Sequence, residues 1–187
     1  SYTQSFFNAA EYDKHGVAIA SARAGNVFGG ADWAKDRLIP DLIRAHDAGV
    51  PPVIRYPGSV RPWQHVLDCV AGYVALSNAL LEGRGEGEWN FGPGIESFVT
   101  VGTVADLAVE LWGGDAAWHT STGTHFPEAG LLALDSAKAL ANLNWKNVLP
   151  FPASLEWTID WYKLRADGID PMAACDQQID EFEKRSN

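Results

Sequence analysis

The apolar run Gly16-Val-Ala-Ile-Ala-Ser21 and the loop after it, Arg23-Ala-Gly-Asn-Val-Phe-Gly-Gly-Ala-Asp-Trp33, decide the fold class. The run is continuous and does not alternate with polar residues. That pattern predicts a strand covered on both faces, as in a parallel sheet. The loop leads to Leu38, Ile39, Leu42, Ile43 and Ala45, whose spacing predicts a helix running up to Gly49. Strand, glycine-rich loop and helix in succession indicate an α/β fold, in which ligands sit where parallel strands end. The loop nevertheless fits neither G-x-G-x-x-G nor G-x-x-x-x-G-K-[ST], so it is not a dinucleotide loop or a P-loop. Gly25, Gly29 and Gly30 predict positive φ angles or a close backbone approach.

Outward from the loop, strands continue to alternate with helices. Residues 2–14 predict the end of a helix stopped at His15-Gly16. Short strands are expected at Val53–Arg55, Trp63–Val66, Glu88–Phe91, Phe98–Val101 and Ala117–His119, with an extended segment at Leu131–Leu134. Helices are expected from an Asp68 cap to Gly83, from a Thr103 cap through Leu111, from Asp135 through Leu143, and over Pro152–Arg165. The tail from Asp170 is acidic and only weakly amphipathic. The strands after Pro51 are too short for a regular doubly wound sheet, so that part reads as a small mixed α/β unit.

A chain of 187 residues is enough for one domain, able to bury roughly 70% of its unfolded surface. The net charge of −10 argues against nucleic acid as a partner. The charge is uneven. Arg23, Lys35, Arg37, Arg44, Arg55 and Arg61 face only Asp32, Asp36, Asp41 and Asp47 in the same stretch, whereas residues 62–187 are strongly acidic. Such a local excess suits a small anion better than a polyanion. The eight Trp predict large aromatic contacts in a core or pocket. No apolar run approaches about 18 residues, so no membrane span is expected, and the first residues lack the pattern of a signal peptide. Cys69 and Cys175 read as separate thiols of a cytoplasmic protein. His119 and His125 have no carboxylate at metal-site spacing, so no metal is expected.

Four segments then occur in order: Arg23–Trp33, Asp36-Arg-Leu-Ile-Pro40, Arg61-Pro-Trp-Gln-His-Val66 and Trp89-Asn-Phe-Gly-Pro93. Glu128-Ala129, Leu134-Asp-Ser-x-Lys-Ala139 and Leu143-x-Trp145 continue the series. Together they resemble the C-terminal half of the CDP-glucose 4,6-dehydratase family, nucleotide-sugar enzymes of the extended short-chain dehydrogenase/reductase superfamily. The resemblance implies an α/β fold made of the last part of a Rossmann-type parallel sheet followed by a small mixed α/β substrate-binding domain. Residues 1–50 would be the remnant of the NAD-binding domain. Residues 51–187 would form mainly the nucleotide-sugar domain, interleaved with it.

The family reaction is an internal redox. NAD takes a hydride from C4 of the glucose ring, water is lost across C5 and C6, and the hydride returns to C6. The family's glycine fingerprint, Tyr-x-x-x-Lys pair and catalytic Thr have no counterpart in this sequence. Tyr2 is followed four residues on by Phe6, Tyr12 by Gly16 and Tyr56 by Val60. The resemblance therefore implies a fragment that begins downstream of the catalytic pair, contributes no catalytic residue, and leaves NAD mainly to a preceding half.

It also implies a set of binding residues. Arg61 matches the family's diphosphate contact in Arg-x-Trp-x-x-Val. Arg37 and Leu38 open the predicted helix, and Arg55 lies between them and Arg61. Asn26 matches an Asn that hydrogen-bonds the substrate's phosphate or sugar. Glu128, with His125, falls where a family loop closes over the base. The plainer readings stay open: surface ion pairs for the arginines, a turn for Asn26, a solvated loop for Glu128, and core or pocket wall for Trp33 and Trp63. The expected partner is CDP-glucose or a related nucleotide sugar. Superfamily members usually dimerise, so a homo-oligomer is a further expectation. Another nucleotide-sugar dehydratase or epimerase, or a non-catalytic binding module, remains an alternative.

Overall fold

A computed structural model describes residues 2–113, 117–123 and 129–186. The chain opens with two short helices, α1 (Tyr2–Phe6) and α2 (Tyr12–His15), separated by a 3-10 turn at Ala9–Glu11. The predicted single helix is thus broken. Asn8 caps the 3-10 turn by accepting from the Ala10 N–H, and Gly16, at φ 65°, ends α2.

The strand predicted at Gly16–Ser21 is displaced. β1 is Ala20–Ala24, and Ser21, Ala22 and Arg23 are exposed, not covered on both faces. Its partner sets the position. β1 runs parallel to β5 (Gly87–Phe91) from Ala20↔Gly87 to Ala24↔Phe91, so the five residues of β5 fix which five residues of this stretch are paired. β2 (Asn26–Phe28) leaves this sheet and joins a second one. It lies parallel to β4 (Val60–His65), with Asn26 opposite Trp63 and Phe28 opposite His65. β4 is antiparallel to β6 (Phe98–Thr100) on its other edge. A third, two-stranded sheet pairs β3 (Val53–Ile54) with β7 (His119–Thr120) in parallel.

The glycines of the opening loop serve packing. None of Gly25, Gly29 and Gly30 has positive φ; Ala31 (64°) and Asp36 (62°) take the left-handed region instead. A Cβ on Gly25 would strike the Pro62 carbonyl, and one on Gly30 would enter the ring of Trp161. Close approach is therefore the role these residues fill, toward the protein's own strand and helix.

The helices are α3 (Leu38–Asp47), α4 (Val66–Leu81), α5 (Val101–Trp112), α6 (Ala137–Leu143), α7 (Ala153–Ala166) and α8 (Pro171–Ser186). Two predicted caps move by a few residues. His65 Nδ1, not Asp68, accepts the Leu67 N–H at the start of α4, and Thr100, not Thr103, accepts the Thr103 N–H at the start of α5. Asp68 is buried in the first turn of α4. There it clamps a distant segment, accepting from the Val148 N–H at 2.6 Å and the Leu149 N–H at 3.1 Å. The weakly amphipathic tail forms a full helix, α8. It is held by buried Ala174 and Phe182, by the Trp161 indole N–H on Cys175 Sγ at 3.3 Å, and by Gln178 on the Trp157 carbonyl at 2.6 Å.

Apolar burial gathers in two clusters. The larger joins Phe28, Trp63, the inner faces of α3 and α5, and Leu155, Ile159, Trp161 and Tyr162 of α7. The smaller joins Leu76 of α4, Trp89 and Phe91 of β5, Ala139 of α6 and Trp145. Among the described residues, no helix is long and apolar enough to cross a membrane.

Candidate functional site

A cleft of about 230 Å3 opens where β2 ends and α3 begins. Asn26 is the first residue of β2, and its strand partner Trp63 forms part of the floor. Arg61, two residues earlier on β4, lies on the same face of the strand and also lines the cleft. Arg61 is 3% exposed, and its guanidinium donates to the Val60 carbonyl at 2.8 Å. Arg37 sits at the N-cap position of α3, with Leu38 as the first helical residue. Arg55 follows β3 on the opposite wall. The structure thus brings five of the sequence-derived candidates, Asn26, Arg37, Leu38, Arg55 and Arg61, into one cleft. The sixth, Glu128, lies outside the described residues, as does His125.

In the sequence, Asp32, Asp36 and Asp41 count only as charges beside the arginines, and neither they nor Tyr56 are assigned to the site. Asp32, Asp36, Asp41 and Tyr56 also border the cleft. Loop carboxylates at irregular spacing carry no pattern that singles them out. Arg37 Nε lies 3.8 Å from Asp32 Oδ2, and Arg55 Nη2 lies 3.9 Å from Asp36 Oδ1. Both arginine side chains stay about half exposed, at 56% and 54%. Asp41 is taken by Arg44, which also donates to the carbonyls of Trp33 at 2.9 Å and Ala34 at 3.0 Å. Arg44 therefore staples the loop to α3.

Trp33 does not wall the cleft. Its ring meets Tyr162 edge to face at 5.3 Å between centroids, and the Arg165 guanidinium lies over it at 4.7 Å. The Tyr162 hydroxyl donates to the Asp32 carbonyl at 2.7 Å, and burial pushes its pKa up to about 12. Trp33, Tyr162 and Arg44 therefore fix the loop from behind, while Trp63 forms the cleft floor. Of the two tryptophans, Trp63 is at once core and cleft wall, and its indole N–H donates to the Val99 carbonyl at 3.0 Å.

Planar guanidinium groups match the oxygens of phosphate. The cleft places one at its floor and two at its walls, beside the side chain of Asn26. Its volume falls below the roughly 300–1,000 Å3 of a complete small-molecule pocket, so it suits part of a ligand, such as a diphosphate. A second groove, of about 590 Å3 between α7 and α8, is larger but suits an anion poorly. Asp160, Asp167, Asp180 and Glu181 line it. Among its cations, Lys163 is engaged on the Leu111 carbonyl at 2.6 Å, and Arg185 on Glu181 at 3.1 Å and over the Trp157 ring.

His65 and Asp68 are buried beneath this architecture. Desolvation lowers the imidazole of His65 from 6.5 to about 4. Desolvation raises the carboxyl of Asp68 from 3.8 to about 6, against the pull of the two backbone N–H donors. Neither residue lines the cleft.

No protein-family model matches the chain. The chain is 42% identical over 184 residues to the CDP-glucose 4,6-dehydratase of Salmonella typhimurium, an alignment covering 97% of this chain and 51% of that protein. It thus spans about half the length of the curated relative it matches. A solved dTDP-glucose 4,6-dehydratase from Streptomyces venezuelae, with NAD bound, aligns at a TM-score of 0.68 and 20% identity, over 87% of this chain and 49% of that one. A UDP-glucose 4-epimerase from Thermotoga maritima, solved with UDP-glucose, aligns at a TM-score of 0.70 and 19% identity, over 88% of this chain and 52% of that one. These two likenesses show a shared α/β fold. The similarity to CDP-glucose 4,6-dehydratase, read first from the segments Arg23–Trp33 through Leu143-x-Trp145, extends over nearly the whole chain.

Proposed function

We propose that this chain is the nucleotide-sugar-binding portion of an NAD-dependent CDP-glucose 4,6-dehydratase, a lyase that converts CDP-glucose to CDP-4-keto-6-deoxyglucose. The observation that carries the reading is the convergence of Asn26, Arg37, Arg55 and Arg61 on one cleft at the end of a parallel strand. The 42% identity to a CDP-glucose 4,6-dehydratase supports the choice of nucleotide.

In this reading Arg61 binds the diphosphate from the cleft floor, and Arg37 and Arg55 close on it from the walls. Asn26 hydrogen-bonds a phosphate or sugar oxygen. These contacts orient the glucose ring and withdraw water from it, so that binding energy from the diphosphate is used to position C4. NAD would accept and return the hydride. The described residues do not fit that cofactor: the glycine-rich loop between β2 and α3 lacks the G-x-G-x-x-G pattern, and its glycines are filled against Val66 and Trp161, as Gly25 is against Pro62. The cofactor and the proton-transfer groups therefore belong to the remainder of a full-length protein, and no step of theirs is assigned to these residues.

The two apolar clusters suggest how the halves divide. The smaller cluster, with β1, β5, α4 and α6, is the Rossmann remnant in this reading, and the larger is the substrate domain. The chain crosses between them several times. Kinetics of the full-length protein test the proposal. CDP-glucose should be turned over in preference to the UDP-, dTDP- and GDP-glucose analogues. Arg61→Ala should raise the KM for CDP-glucose about tenfold or more, the worth of one charge-assisted phosphate contact. An unchanged KM in that variant contradicts the assignment of Arg61. Equal turnover of dTDP- or UDP-glucose favours another dehydratase of the superfamily.

A further inference from the structure

The cleft read as a diphosphate site carries carboxylates beside its arginines, an odd lining for an anion. Asp41 is explained by Arg44, with which it pins the loop. Asp32 and Asp36 are not explained in this way. Their contacts with Arg37 and Arg55, at 3.8 and 3.9 Å, exceed hydrogen-bond distance, and both arginines are about half exposed. Such pairs contribute little to stability. Asp32 has one oxygen committed, since Oδ1 accepts the Ala34 N–H at 2.9 Å, so only Oδ2 serves Arg37. Asp36 has an 83% exposed side chain on a backbone at φ 62°, a conformation unusual for any residue with a Cβ.

We propose that Asp32 and Asp36 are displaceable placeholders. They hold Arg37 and Arg55 across the cleft through weak contacts and yield them to the diphosphate of the ligand, thereby setting how tightly the cleft holds an anion. The exchange is favourable in direction. A phosphate presents oxygens that a guanidinium can bind in two parallel hydrogen bonds, whereas each aspartate offers a single contact near 4 Å. The remaining negative charge of the two carboxylates opposes the bound diphosphate, which keeps affinity moderate and release ready. Asp32 and Asp36 are thus positioning residues that act through Arg37 and Arg55. The inference rests on the cleft being the diphosphate site.

Calorimetric titration with inorganic pyrophosphate and with CDP, at low and at high salt, tests it. Asp32→Asn keeps the Oδ1 acceptor for Ala34 and so preserves the turn. Asp36→Asn alters an exposed group. Each variant should bind pyrophosphate and CDP about two- to fivefold more tightly than the parent at low salt, the worth of one exposed ion pair. The gain should shrink at high salt, where exposed charges are screened. Asp47→Asn, which removes an exposed carboxylate outside the cleft, reads the general charge effect, and the gain at Asp32 and Asp36 should exceed it. If the parent binds and Arg61→Ala abolishes binding, yet both Asn variants bind equally or more weakly, the placeholder role is overturned and the cleft assignment stands. If Arg61→Ala leaves pyrophosphate and CDP binding unchanged, the cleft assignment fails and the placeholder role with it.

Discussion

Gln64 sits between two residues of the cleft strand, Trp63 and His65, and is fully buried. Neither its amide nitrogen nor its carbonyl oxygen has a hydrogen-bond partner among the described residues. Each such orphan costs roughly 1–3 kcal/mol. Gln64→Leu should therefore stabilise the fold by about 1–2 kcal/mol. The gain is read as a higher urea midpoint at unchanged slope; a lower midpoint would show that the amide has a partner after all. Gly30→Ala should act in the opposite sense. Its Cβ would enter the ring of Trp161, which is 1% exposed and has nowhere to move, so a loss of about 1–3 kcal/mol is expected from the same measurement. At this scale the candidate site was partly legible. Asn26 and Arg61 were legible only through the family resemblance, and Arg37 and Leu38 also through their place at a predicted helix start; the structure brings these and Arg55 to one cleft. Asp32, Asp36 and Tyr56 were not legible, because a loop residue has no periodicity to say which way it faces. The glycines were legible as special but not as packing residues, since the ring of Trp161 is distant in sequence.

The start of α4 sets two buried titratable groups against each other. His65 has a depressed folded pKa, so between pH 6.5 and 4 the unfolded chain binds the proton and the folded chain does not. Its contribution to stability is present above that window and is lost on acidification. Asp68 has a raised folded pKa, so between pH 6 and 3.8 the folded chain binds the proton first, and acidification stabilises. Each tendency is on the order of 3 kcal/mol across its window, because a tenfold difference in proton affinity between folded and unfolded chain is worth roughly 1.4 kcal/mol. In the parent chain they largely cancel. His65→Asn, which keeps a helix-capping side chain, should gain stability relative to the parent as the pH falls from 6 to 4. Asp68→Asn should lose it. Urea midpoints across that range check both, and changes of the same sign in the two variants would contradict the assignment. Helices with a clear apolar stripe, such as α3 and α5, are readable from spacing alone. α8 is not, because its buried residues are few and its other faces are acidic. The position of β1 escapes the sequence because an apolar run does not say which of its residues the partner strand will pair.

Over the whole molecule, the chain order and the spatial order differ. β1 pairs with a strand more than sixty residues away, while β2, only one residue further on, belongs to the other sheet. The α/β class is readable from alternating strands and helices. The interleaving of two clusters is readable only through the family resemblance, since nothing in local composition marks where a chain crosses between sheets. The central claim is that the anion site is the cleft between β2, β4 and α3. Chemical-shift mapping tests it most directly, and the 20.3 kDa chain is small enough for it. On titration with CDP, the backbone amides of Asn26, Arg37, Arg55 and Arg61 should shift together and saturate, while those of Trp157, Lys163 and Arg185 in the α7–α8 groove stay fixed. Saturable shifts confined to that groove, or none in the cleft, would contradict the account.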